Sequence, residues 1–134
     1  LEDLIDFAKT NTRNGILLSE DPIIKDKLSN LAIEVEACKL ISYNVAWMQS
    51  EGLVPNKEAS IAKIRGSELQ QHLSEFGMML LGMHGQLEGG SKYAPLEGRI
   101  LHQHLMNTSL TILAGTTEIQ KGIIATRGLG LPRG

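Results

Sequence analysis

Apolar residues in this chain recur at three- and four-residue steps over two long stretches, and glycines and prolines separate those stretches. Ile24, Leu28, Leu31, Val35, Cys38, Val45 and Met48 fall close to one stripe of a 3.6-residue helix, with Ile41 and Trp47 flanking it. Asp21 stands where an N-cap carboxylate accepts free backbone amides, and Pro22 suits the first turn, where its missing N–H costs nothing. Gly52 and Pro55 stop this helix. A second helix is predicted from about Asn56 to about Met83, carried by Ile61, Ile64, Leu69, Leu73, Phe76, Leu80 and Met83. Gly82, Gly85, Gly89 and Gly90 then make a flexible connection. A third, less periodic helical segment is predicted from about Pro95 to Leu113, and a last helix from about Thr117 to Thr126, ended by Gly128 and Pro132. Strand-length β-branched runs are missing. Long helices joined by short loops pack as antiparallel neighbours. The expected fold is all-α: an up-down antiparallel four-helix bundle plus a short C-terminal helix.

The 134 residues suffice for one domain and are few for an enzyme that carries a cofactor. Thirteen Lys and Arg are scattered along a chain of net charge -2, so nothing points to nucleic acid or to a charged membrane surface. No apolar run approaches the roughly 20 residues of a membrane helix, which argues against insertion. Cys38 stands alone, which rules out an intrachain disulfide and suits a reducing, cytoplasmic compartment. Leu4-Ile5-Asp6-Phe7-Ala8-Lys9 reads as the tail of a helix already under way at Leu1, so the expectation is a piece of a longer protein.

Candidate chemistry concentrates at Gly115-Thr116-Thr117-Glu118. A helix N-terminus presents unpaired N–H groups and a partial positive charge, which suit an anion or the polar edge of a cofactor. A capping box between Thr117 and Gln120 accounts for the same residues without a ligand, and on the local pattern both readings stand. His102 and His104 lie on different helix faces, and neither they nor His72 and His84 are accompanied by a ligand cluster, so no metal site is expected. Cys38 reads as a small core residue. Met78, Met79 and Met83 read as core filler or as the lining of an adaptable channel. Glu88 and Glu97 read as solvated charges.

The run from Ala114-Gly115-Thr116-Thr117-Glu118-Ile119-Gln120-Lys121 through Gly128-Leu129-Gly130-Leu131-Pro132-Arg133-Gly134 resembles the C-terminal signature of acyl-CoA dehydrogenases. The resemblance extends over essentially the whole chain and implies that this is the C-terminal helical domain of such an enzyme, with the N-terminal helical domain and the β-domain absent. It implies FAD as cofactor, met by Thr116, Thr117 and Glu118, and it places Gly115 at the substrate. Leu4 to Asp26 resembles the family's helix and loop before the bundle, from which an arginine reaches the flavin pyrophosphate of a neighbouring subunit. Arg13 is the only arginine there, with a solvated loop residue as the plain alternative. Leu81-Gly82-Met83-His84-Gly85 resembles a flavin-contacting turn at which many members carry Gln and Gly-Gly. Met79 and Met83 depart from that pattern, leaving backbone contact through Gly82.

In many members a glutamate precedes the Gly-Thr pair and removes the substrate α-proton; here Ala114 occupies that position, so no catalytic residue is assigned. The resemblance then implies a base on the segment upstream of Leu1, or else a non-catalytic partner subunit. The former is the reading adopted. The implied activity is α,β-dehydrogenation of an acyl-CoA, with electron-transfer flavoprotein as partner, a homo-dimeric or tetrameric assembly, and no turnover by the isolated chain. A non-catalytic helical oligomerisation module is the alternative, and an oxidase on the same scaffold a third.

Overall fold

The computed structural model describes residues 1–133. Gly134, the last residue of the C-terminal signature, lies outside them. The described chain is all-α apart from one small hairpin. Helix α1 (Glu2–Thr10) leads into strands β1 (Thr12–Arg13) and β2 (Ile16–Leu17), paired antiparallel, and then a single 3-10 turn, Leu18–Glu20. Two long helices follow, α2 (Pro22–Ser50) and α3 (Asn56–Leu81). The chain closes with α4 (Arg99–Asn107) and α5 (Thr117–Ile123), the latter running into a π-helical turn, Ile124–Gly128.

Helix α2 starts as expected: Asp21 Oδ1 accepts from the Ile23 and Ile24 amides at 2.8 and 3.4 Å. It folds back onto α3 as an antiparallel neighbour, bringing Glu34 Oε2 within 3.2 Å of His72 Nδ1. Helix α3 is the axis of the molecule, with α2, α4 and α5 packed along it. Leu31 from α2, Leu69, Phe76 and Leu80 from α3, and Leu4, Ala8 and Ile100 from α1 and α4 form one buried cluster. Cys38 packs against that cluster, and burial pushes its thiol up. Helix α2 also carries a second apolar face that this chain leaves exposed, including Ile33, Leu40, Tyr43 and Trp47.

Gly77 marks the closest approach of α4 to α3, since a Cβ there would sit 2.8 Å from Ile100 Cγ2. Asn107 makes the other attachment. Its Nδ2 donates to Gln70 O at 2.7 Å and to the buried Ser74 hydroxyl at 3.2 Å, while its carbonyl accepts from Gln71 Nε2 at 3.0 Å. Buried polar groups must find partners of this kind, so the contact fixes the register of α4 on α3.

Four boundaries differ from expectation. Helix α3 ends at Leu81, short of Met83, because Gly82 takes φ 59 and ψ -142. The segment 95–113 is helical only from Arg99 to Asn107. Its start is displaced because Leu96, Glu97 and Gly98 all take left-handed angles, with φ 51, 57 and 72. Its end comes early because the Ser109 and Leu110 amides tighten onto Met106 O and Asn107 O, at 3.2 and 3.1 Å, while Lys63 Nζ and Ser67 Oγ hold the Leu110 carbonyl at 2.9 and 3.3 Å. The last helix loses its α-helical spacing after Ile123, where Thr126 Oγ1 donates to Gly122 O at 2.8 Å.

Candidate functional site

The segment 114–120 is held by bonds that the sequence pattern does not display. Ala114 and Gly115 are both left-handed, at φ 56 and 90. Thr116 is the N-cap of α5, and its Oγ1 accepts from the Ile119 amide at 3.3 Å. The expected capping box is therefore displaced by one residue. The Thr117 amide instead donates to Thr111 O at 3.1 Å, and Gln120 Nε2 donates to Ala114 O at 3.2 Å rather than reaching back to the cap. Thr116 and Thr117 are half-buried, and Glu118 is exposed.

Glu118 is the titratable group of the turn whose chemistry is altered. Its own backbone N–H and then the Thr116 hydroxyl hold its carboxyl below the usual carboxylate range, and Lys121 and Lys63 act in the same direction. A carboxylate stabilised in its charged form is a poor proton acceptor and a good hydrogen-bond acceptor. The alanine side chain at 114 has no group to carry a proton. Glu88 and Glu97 are exposed on the 87–98 connection. The turn can hold and orient a polar partner, but it contains no acid–base pair.

Arg13 sits at the other end of α3. From the hairpin its Nη2 donates to Leu80 O at 3.1 Å and to Met79 O at 3.4 Å, so it satisfies carbonyls that the end of α3 leaves free. Both bonds leave from Nη2, so the Nε–H and the Nη1 hydrogens are the guanidinium donors that these two bonds do not use. Arg13 and Gly82 are thus brought together. Thr116, Thr117 and Glu118 are not with them: Lys63, which holds the loop before the turn, precedes Leu80 by seventeen residues of α3. At the rise of an α-helix that is roughly 25 Å.

The methionines divide. Met78 packs on the core and Met83 is 86% exposed. Met79 lines an open groove of about 420 Å³ between α2 and α3, floored by Leu31 and Phe76 and edged by Lys27, Glu34, His72 and Glu75. No group of three or more His, Cys, Asp or Glu comes together among the described residues. No helix among them is long and apolar enough to cross a membrane.

Lys63, Ser67, Thr111 and the second task of Gln120 were not visible in the sequence. Lys63 and Ser67 act on a loop 43 or more residues away, and only the packing of α4 on α3 makes them neighbours of it.

Comparison with known proteins gives a consistent result. Residues 1–129 match the family model described as "Acyl-CoA dehydrogenase, C-terminal domain". Among curated relatives, acyl-CoA dehydrogenase FadE26 of Mycobacterium tuberculosis is 34% identical over 99% of this chain and 34% of its own length. Among solved structures, a chain of the ChsE4-ChsE5 complex from Mycobacterium tuberculosis superposes with a TM-score of 0.90 at 32% identity, over 99% of this chain and 35% of that one. A chain of the FAD complex of PigA shares the fold, with a TM-score of 0.81 at 22% identity over 97% of this chain and 32% of its own. The chain therefore spans about a third of the length of the proteins it matches.

Proposed function

Because this chain belongs to the acyl-CoA dehydrogenase family, as its C-terminal domain, we propose that it serves a full-length enzyme that α,β-dehydrogenates an acyl-CoA thioester. In this reading Thr116, Thr117 and Glu118 hold part of an FAD, and Gly115 lets the thioester approach the backbone. The observation that carries it is the family match through residue 129, combined with a turn at 114–118 that presents the Thr116 hydroxyl and the Glu118 carboxylate and has alanine at 114.

FAD, when bound, supplies the hydride acceptor. The residues of this chain bind and orient. The Thr116 hydroxyl accepts the Ile119 amide, and its single proton, which this structure turns to the Glu118 carboxylate, can rotate to the cofactor instead. Glu118, kept charged, accepts bonds from donors on the cofactor. At the other end of α3, the positive charge of Arg13 and its remaining Nε–H and Nη1 donors suit a pyrophosphate, with Gly82 contributing backbone beside it. The separation of roughly 25 Å along α3 supports a flavin shared between subunits, Arg13 serving one copy and the Thr116 turn another. The exposed apolar face of α2, with Ile33, Leu40, Tyr43 and Trp47, supports the same arrangement, because a face of that kind marks a contact surface. A dimer or tetramer is proposed, and the similarity to a chain of a two-protein complex makes an unlike family subunit a candidate partner as well. Electron-transfer flavoprotein as acceptor and a cytoplasmic location belong to the same proposal.

In this reading the base comes from outside these residues, since Ala114, at the position the resemblance gives to the base, has none to offer. Residues 1–134 alone are therefore expected to show no turnover. A helical module without chemistry would account for Ala114, Met79, Met83 and the Thr116 cap alike. What favours the enzyme reading over it is the family match together with relatives that are acyl-CoA dehydrogenases.

Thr116→Val in the full-length protein tests the reading. Loss of one hydroxyl contact should raise the flavin dissociation constant by roughly tenfold, the scale of one good hydrogen bond. The cap to Ile119 is lost too, at about 1 kcal/mol, so Thr116→Ser, which keeps the hydroxyl, is the necessary control. Equal flavin retention in wild type, Ser and Val forms would remove Thr116 from the cofactor site.

A further inference from the structure

We propose that Gln120 is a positioning residue, whose side-chain amide locks the left-handed Ala114–Gly115 turn and so sets where Thr116, Thr117 and Glu118 stand. The functional consequence rests on the flavin reading above; the lock itself does not.

Three observations interlock. Ala114 holds φ 56, a conformation that a residue with a Cβ seldom keeps unless its surroundings enforce it. The enforcing contact is Gln120 Nε2 donating to the Ala114 carbonyl at 3.2 Å. Between them lies Gly115, at φ 90, where a Cβ would come within 2.6 Å of that same Nε2. Position 115 is glycine for its backbone angle, and a Cβ there would in addition push the Gln120 amide off the Ala114 carbonyl.

The far side of the turn is closed by the Thr117 amide on Thr111 O, at 3.1 Å. Gln120 is itself placed by α5, whose first amides are organised by the Thr116 cap. The result is a closed circuit in which α5 orients Gln120, Gln120 holds Ala114, and Ala114–Gly115 delivers the chain back to the start of α5. Without the amide, Ala114 relaxes toward negative φ, and the peptide planes between Ala114 and Thr116 rotate. The Thr116 hydroxyl is then displaced although no atom of Thr116 has changed.

Gln120→Glu in the full-length protein is the direct test, because it keeps the shape and turns a donor facing the Ala114 carbonyl into an acceptor. Hydrogen–deuterium exchange over residues 111–119 reads the turn, and flavin titration reads its consequence. Exchange at the Thr117 amide is expected to quicken about tenfold, with flavin affinity falling by up to about tenfold, the scale of one net hydrogen bond. Adding Ala114→Gly, which relieves the left-handed penalty, should recover part of both effects. A loss of packing at Gln120 would not be recovered that way, and Gln120→Leu serves as the comparison. Unchanged exchange in Gln120→Glu overturns the proposal whatever the flavin does, and so does failure of Ala114→Gly to recover anything. Faster exchange with unchanged flavin affinity upholds the lock and instead counts against the flavin reading, as an inert Thr116→Val would.

Discussion

Gly98→Ala is expected to destabilise the domain by about 3 kcal/mol or more, lowering the melting temperature by roughly 10 °C. The third of three consecutive left-handed residues, Gly98 is buried at the head of α4. A Cβ there would lie 2.8 Å from the carbonyl carbon of Glu88 and closer still to the Gly89 nitrogen. Those are backbone atoms with no rotamer to move out of the way. Two costs therefore add: about 1–2 kcal/mol for a left-handed residue with a Cβ, and an overpacking cost of similar size. Gly90→Ala separates them, because Gly90 has φ 94 but open space around its Cβ position. It should show the conformational cost alone, about 1–2 kcal/mol. Denaturant midpoints of the two variants side by side are the measurement. Equal losses would mean that the 88–98 contact is not tight in solution.

Arg13→Ala is expected to weaken flavin binding by about 10- to 100-fold, the range of about 1.5–3 kcal/mol for hydrogen bonds to a charged group. The same substitution frees two carbonyls at the end of α3, that of Met79, whose bond to Arg13 is exposed, and that of Leu80, whose bond is part-buried, at a cost of about 1 kcal/mol. The melting temperature should therefore move by only a few degrees while flavin is lost. Arg13→Lys keeps the charge but not the planar fork, and should fall between the two. A fall in thermal stability with unchanged flavin affinity would make Arg13 a helix-end cap and nothing more.

Sequence periodicity fixed the long helices well because burial of one face is a property each helix carries in its own residues. Asp21, Pro22 and Gly52 marked real ends, since caps and left-handed angles are local as well. What failed was the stretch after Gly90. There the backbone is governed by partners elsewhere: Lys63 and Ser67 on the Leu110 carbonyl, Asn107 on Gln70 and Ser74, Glu88 and Gly89 against Gly98. No window of sequence around residue 108 contains those groups. The candidate site was legible by likeness to a known signature, yet its geometry was not. Thr117 and Gln120 fit a capping box on paper, whereas the left-handed Ala114 hands the cap to Thr116 and sends Gln120 elsewhere. Arg13 was identified by its position in the chain, and its hold on α3 became apparent only when the hairpin was seen to lie against that helix end.

Helix α3 keeps Arg13 and the Thr116 turn at opposite ends of a rigid rod, and that spacing makes their defects complementary. If each flavin takes its arginine from one subunit and its threonine turn from the other, a subunit lacking the arginine and a subunit lacking the threonine form a mixed dimer with one doubly damaged site and one intact site. Two inactive alleles of such a gene would then restore partial function in the same cell, whereas damage to both ends of one copy would leave its partner with half a site on each side.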